Sequence, residues 1–157
     1  MLIIMRGLPG SGKSYLTQLI KDKTHATVCS ADHFFEKNGE YNFDPAKLGQ
    51  AHKKCMDKAV ALFKKNKPAL IDNTNTTLGE MLPYIELGFT SVFIVEPYTQ
   101  WRFNLDCLES KNQHGVPRET LEKMLKRWQN KEDVLKQIQK RITYIDKRYE
   151  LIEHNLI

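Results

Sequence analysis

Eight residues near the start of the chain, Gly7-Leu8-Pro9-Gly10-Ser11-Gly12-Lys13-Ser14, constrain its fold more than any other stretch. They follow the apolar run Leu2-Ile3-Ile4-Met5 and lead into Leu16, Leu19 and Ile20 at helical spacing. A buried strand, a glycine-rich turn and a helix, in that order, make a phosphate cradle. Glycines 7, 10 and 12 let the backbone turn tightly and aim successive N–H groups inward, and the helix adds its positive N-terminal end. The spacing G-x-x-x-x-G-K-[ST] is the Walker A pattern: Lys13 reaches phosphate as a point charge and Ser14 offers a hydroxyl to Mg²⁺. Gly7, Pro9, Gly10, Ser11, Gly12, Lys13, Ser14 and the adjoining Tyr15 are therefore the expected ATP-binding residues.

The chain has 157 residues, the length of one domain with a single core, so one P-loop domain over 1–157 is expected. With 41% hydrophobic and 27% charged residues it does not read as disordered. A net charge of +5 with pI near 9.0 favours polyanionic partners without requiring one. The first apolar run is too short for a signal-peptide core and no stretch is long enough to span a bilayer, so an intracellular protein, cytoplasmic or nuclear, with no membrane partner is expected. Cys29, Cys55 and Cys107 lack the paired spacing of a zinc or redox motif.

Strand and helix patterns alternate along the chain. Ala26-Thr27-Val28-Cys29, Pro68-Ala69-Leu70-Ile71-Asp72 and Thr90-Ser91-Val92-Phe93-Ile94-Val95 read as strands, and a helix from Pro45 carries Leu48, Ala51, Cys55, Ala59 and Leu62 on one face. Thr77 is a candidate N-cap for a helix that Gly88 ends. The implied fold class is α/β: a three-layer αβα P-loop NTPase sandwich around a parallel sheet. Aromatics at Phe34, Phe35, Tyr41 and Phe43 either touch a substrate or anchor their loop. Residues 100–118 read as a helix, a break at Gly115 and a second helix opening at Pro117, a hinged lid carrying Arg102, Lys111 and Arg118 toward the triphosphate. The alternative is a plain surface hairpin. Leu135, Ile138, Ile142, Ile145, Tyr149 and Ile152 step by three and four, which predicts a long C-terminal helix over 131–154, packed on the core or open to a protein partner.

Two carboxylates close strands at the end where parallel sheets bind ligands. Asp32 is read as the general base that takes an acceptor hydroxyl's proton, and Asp72 as the magnesium-side or acceptor-orienting acid. A helix N-cap for Asp32 and a turn residue for Asp72 are the bland alternatives.

Together, the P-loop, Ser30-Ala31-Asp32, Ile71-Asp72-Asn73-Thr74-Asn75, Val95-Glu96-Pro97 with Trp101-Arg102, and Lys111-Asn112-x-His114-Gly115-Val116-Pro117 resemble the polynucleotide 5′-hydroxyl kinase-like P-loop ATPases. The likeness extends to the kinase-like domains of 2′,3′-cyclic-nucleotide phosphodiesterases and of a ubiquitin-ligase-binding group. It implies ATP at Lys13 and Ser14, Asp32 activating a nucleic-acid 5′-hydroxyl, Asp72 in the acceptor motif and a basic lid. The chain departs from phage-type members by carrying Phe34 or Phe35 at the position where they hold an acceptor-binding arginine, and from many relatives by carrying Lys111 where they have arginine. Phosphodiesterase chemistry is not implied, because it uses two His-x-Thr motifs in a separate domain and this chain has only His25-Ala26-Thr27.

The expected activity is ATP- and Mg²⁺-dependent phosphoryl transfer to a 5′-hydroxyl end of RNA or DNA. A small-molecule or nucleoside kinase and an ATP-binding adaptor that uses the C-terminal helix are the alternatives.

Overall fold

Leu2, Ile3, Ile4 and Met5 are each fully buried, a burden only the middle strand of a sheet covered on both faces can carry. The computed structural model, which describes residues 1–157, places this strand, β1 (Leu2–Met5), at the centre. In chain order there follow α1 (Lys13–Thr24), β2 (Thr27–Cys29), a two-strand hairpin of β3 (Glu36–Lys37) and β4 (Glu40–Tyr41), α2 (Leu48–Lys64), β5 (Ala69–Asp72), α3 (Leu78–Ile85) and β6 (Val92–Val95). The chain ends with α4 (Leu105–Lys111), α5 (Arg118–Arg127), α6 (Lys131–Lys136), β7 (Thr143–Ile145) and α7 (Arg148–Glu153). The five-stranded sheet runs β2-β5-β1-β6-β7 and every pairing in it is parallel.

Period-two alternation divides β1 between two cores. Leu2 and Ile4 face α2 and α3 through Cys55, Ala59, Leu62, Met81 and Ile85, while Ile3 and Met5 face α1 and α7 through Leu16, Ile20 and Leu151. The αβα sandwich expected from the sequence is the observed fold.

Local chemistry sets the element ends. The Thr77 N–H donates to Glu80 Oε2 at 3.2 Å, closing the start of α3, and Gly88 at φ +101° ends the segment that follows it. Asn38 and Gly39, at φ +52° and +80°, supply the turn that joins β3 to β4. Pro45 opens a single 3₁₀ turn over Pro45–Lys47 before α2 begins at Leu48.

The expected helix over 131–154 does not form. The segment breaks into α6, β7 and α7, and β7 completes the sheet as its fifth strand. Ile142-Thr143-Tyr144-Ile145 is β-branched and aromatic, residues that favour a half-buried pleat over a helix. Tyr144 enters one core and Ile145 the other, whereas Leu135, Tyr149 and Ile152 of the supposed seam are 38%, 54% and 56% exposed. The possible protein partner was placed on a continuous helix that this segment does not form.

Candidate active site

The glycine-rich turn sits at the C-terminal rim of the sheet, between β1 and α1. Thr99 Oγ1 donates to the Ser11 carbonyl at 2.7 Å and Trp101 Nε1 to the Gly10 carbonyl at 3.0 Å, so both carbonyls are held by the segment between β6 and α4. In a trans peptide the following N–H points the opposite way, which turns the Gly12 N–H away from Thr99. The N–H groups of Gly10, Gly12, Lys13 and Ser14 donate to no protein acceptor, and buried Ser11 Oγ has no partner either. Several convergent donors left free beside a helix N-terminus are the requirement for holding phosphate. Gly10 and Gly12 have φ of +84° and +97°, and a Cβ on Gly10 would lie 2.7 Å from the Leu108 carbonyl oxygen.

Lys13 Nζ lies 2.5 Å from Asp72 Oδ1, with side chains only 13% and 15% exposed. Asp72 ends β5 in register with Met5, which puts it beside the start of the turn. The next residue, Asn73, accepts the Ala31 N–H through Oδ1 at 2.9 Å and so fixes the 3₁₀ turn Ala31–Phe34 that carries Asp32. Backbone Asp32 N–H also donates to Ser30 Oγ at 3.2 Å, so Ser30 is the cap of that turn and the Asp32 carboxylate is left free for other work.

That carboxylate meets two groups from separate elements. Tyr41 OH donates to Oδ1 at 3.1 Å, and His114 Nδ1 lies 3.6 Å from Oδ2. The two rings stack on each other at 4.1 Å with planes 13° apart. Burial first, then the neighbouring Asp32 charge, pushes the Tyr41 phenol well above its ordinary range, so it stays a donor. Phe35 is buried against Ala51, with Tyr41 and Phe43 edge-on to it, and thus anchors the hairpin; Phe34 lies beneath Lys54 Nζ at 5.1 Å.

The segment read as a lid folds as the helical pair α4–α5 with a break between Lys111 and Arg118. Leu8 of the turn packs with Leu108 and Leu121, and Asn112 ties the tip by accepting the Val116 N–H at 2.7 Å. The lid thus touches the P-loop at one end and, through His114, Asp32 at the other. Its cations divide. Lys111 Nζ sits 4.6 Å over the Trp101 ring that holds Gly10, and Arg102 Nη1 donates to the Thr99 carbonyl at 3.0 Å with Nε 3.8 Å from Glu96. Arg118 is held instead by Asp106 at 2.7 Å, Glu109 at 3.4 Å and Glu122 at 3.7 Å, and a role on the triphosphate requires it to give these up. Tyr15 is 70% exposed on the first turn of α1 and makes no side-chain hydrogen bond.

Sequence reasoning missed Arg6, which is completely buried beneath the rim. Its guanidinium donates to the carbonyls of Asn75, Thr76 and Gln129 and to Tyr144 OH, and stacks 4.0 Å over Trp128. Tyr144 OH in turn donates to Glu96 Oε2 at 2.5 Å. Burial pushes the Glu96 carboxyl up, against the opposing pull of Tyr144, Arg6 and Arg102. The one signal available was an arginine placed directly between a buried strand and the glycine turn. A cavity of about 350 Å³ beside this network is lined by Glu96, Arg102, Trp128 and Asp146.

A family model described as an AAA domain, AAA_33, matches residues 2–131. The chain belongs to that family. The human relative NEDD4-binding protein 2 is 41% identical over 133 residues, covering 82% of this chain and 8% of its own length. Mouse 2′,3′-cyclic-nucleotide 3′-phosphodiesterase is 32% identical over 129 residues, covering 78% of this chain and 30% of its own length. The chain thus spans less than a third of either relative, and both are of the groups its motifs resemble. Among solved structures, a sugar kinase from Janibacter sp. HTCC2649 superposes with TM-score 0.64 at 15% identity, covering 99% of this chain and 91% of that one. Shikimate kinase from Aquifex aeolicus superposes with TM-score 0.51 at 13% identity, covering 98% and 92%. The AAA_33 domain described here therefore has a P-loop kinase-like fold. The matched range takes in the P-loop, Asp32, Asp72 and the whole lid.

Proposed function

We propose that this domain transfers the γ-phosphoryl group of ATP to the 5′-hydroxyl end of RNA or DNA. The observation that carries the reading is the lid, which joins the phosphate-holding turn to Asp32 through Leu108 and His114. On this reading the free N–H groups and Lys13 hold the β- and γ-phosphates, and the cavity lined by Arg102 and Glu96 takes the nucleoside. The donor set suits Mg²⁺, because the exposed Ser14 hydroxyl and the Asp72 carboxylate are hard oxygen ligands and phosphate and water complete the shell. When bound, the ion neutralises charge on the phosphate oxygens.

The residues of the chain do the rest. Asp32 Oδ accepts the proton of the acceptor hydroxyl as that oxygen bonds to phosphorus and the bridge to the β-phosphate breaks, leaving ADP. Tyr41 and His114 hold the carboxylate's orientation, and Lys111 adds positive charge over the leaving side. The adaptor alternative has lost the long helix it depended on.

Incubating the protein with γ-labelled ATP, Mg²⁺ and 5′-hydroxyl oligonucleotides, alongside a panel of sugars and nucleosides, tests the reading. Label on the oligonucleotide, absent in Lys13→Ala, is the expected result. Label confined to a small alcohol, or none above the Lys13→Ala background, rejects it.

A further inference from the structure

A groove of about 590 Å³ runs beside β2, between the C-terminal end of α1 and α2. Because β2 is an edge of the sheet, no sixth strand covers this side. The groove is lined by Lys21, His25, His33 and Lys58. Its single acid, Asp22, accepts from Gln18 Nε2 at 2.7 Å. Lys58 Nζ donates to the Val28 carbonyl at 2.6 Å, which fixes an ammonium over the edge strand with two further N–H bonds to give. Lysines are among the charged side chains that protect strand edges from mispairing, and Lys58 sits on this one.

His33, the residue after Asp32 on the same 3₁₀ turn, lines the groove, and the other lining residues follow β2 and the end of α1. Asp32 itself meets the Tyr41–His114 stack. Aromatic rings and lysines along a groove are the paired features that bind single-stranded nucleic acid, bases on the first and phosphates along the second. A sugar or other small polyol has no phosphates to engage a groove that continues past the reacting group.

We propose that this groove carries the phosphodiester backbone of a single-stranded acceptor whose 5′-terminal base lies against Tyr41 and His114. The inference rests on the polynucleotide-kinase reading and assigns that substrate its path. Its contacts are electrostatic, so affinity should fall with salt, by about 0.7 in the log–log slope for each phosphate neutralised on a single strand.

The test compares Lys21→Glu/Lys58→Glu with a control of equal charge change on another face, Lys136→Glu/Lys140→Glu. All four side chains are exposed, and melting temperature and ATP-analogue binding report on folding in each. Binding of a fluorescent 5′-hydroxyl oligonucleotide of about a dozen nucleotides is measured across a salt series. The groove variant is expected to bind at least about tenfold more weakly at low salt, with a slope shallower by about one, while the control keeps the wild-type slope. Wild-type slope and affinity in the groove variant, with the wild type still labelling oligonucleotides, overturn the path and leave the kinase reading standing. Failure of the wild type to bind or label any oligonucleotide overturns both.

Discussion

Lys13 and Asp72 form the contact through which the phosphate cradle and the acidic end of β5 become one site, and a double-mutant cycle measures that contact. Their charged atoms are 2.5 Å apart and their side chains are 13% and 15% exposed, so the pair is screened less than a surface ion pair. Replacing Lys13 with Met leaves a mostly buried carboxylate without its cation, and Asp72→Asn leaves the ammonium without its anion. Each single change should destabilise by about 1–3 kcal/mol, below the 3–5 kcal/mol of a fully buried pair broken on one side. The double variant removes both charges together and should cost little more than either single one, giving a coupling of about 1–3 kcal/mol. For a domain of this size that is a difference of roughly 2–12 °C in melting temperature. Urea unfolding without nucleotide, with slopes compared to confirm one two-state transition, gives the four free energies. Additivity within about 0.5 kcal/mol would refute the claim that the two side chains share one site.

Three further outcomes follow from the geometry. Tyr144→Phe removes the hydroxyl shared by Arg6 and Glu96 and should cost about 2–3 kcal/mol in urea unfolding, since both partners are buried; a loss under about 0.5 kcal/mol counts against that network. Glu96 should give stability a negative pH slope: burial raises its folded pKa, so the native state keeps a proton that the unfolded chain gives up near pH 4.3, and stability falls as pH rises through the folded value. Wild-type melting temperature should therefore decline relative to Glu96→Gln from about pH 4 upward, and a constant difference contradicts this assignment. Gly10→Ala adds a Cβ 2.7 Å from the Leu108 carbonyl at a φ of +84°, so it should weaken ATP-analogue binding by more than about tenfold and cost about 1–2 kcal/mol; unchanged binding means the lid does not brace the turn.

Much of the candidate site was legible because its chemistry is written in short, contiguous motifs. The P-loop, the acid after β2, the acid that ends β5 and the break at Gly115 each announce themselves within a few residues. The segment 131–154 was misread because spacings of three and four arise by chance when two short helices flank a three-residue strand. The β-branched run Ile142-Thr143-Tyr144-Ile145 was the better guide. Arg6 could not be placed from local pattern, since its partners lie 69, 70, 123 and 138 residues away. Tyr41 and His114 were each visible as loop residues, but their stack over Asp32 depends on the hairpin and the lid tip meeting in space. Phe35 showed that an aromatic in a turn-rich stretch can serve as an anchor instead of a contact for substrate.

Asp32→Asn is the most direct test of the central claim, because it keeps the shape of the side chain and removes only its ability to take a proton. Label transfer from γ-labelled ATP to a 5′-hydroxyl oligonucleotide should fall by about 10²-fold or more, with ATP-analogue affinity within a few fold of wild type. Transfer at the wild-type rate by the Asp32→Asn protein would contradict the assignment of that carboxylate as the base, and with it the reaction proposed for this cleft.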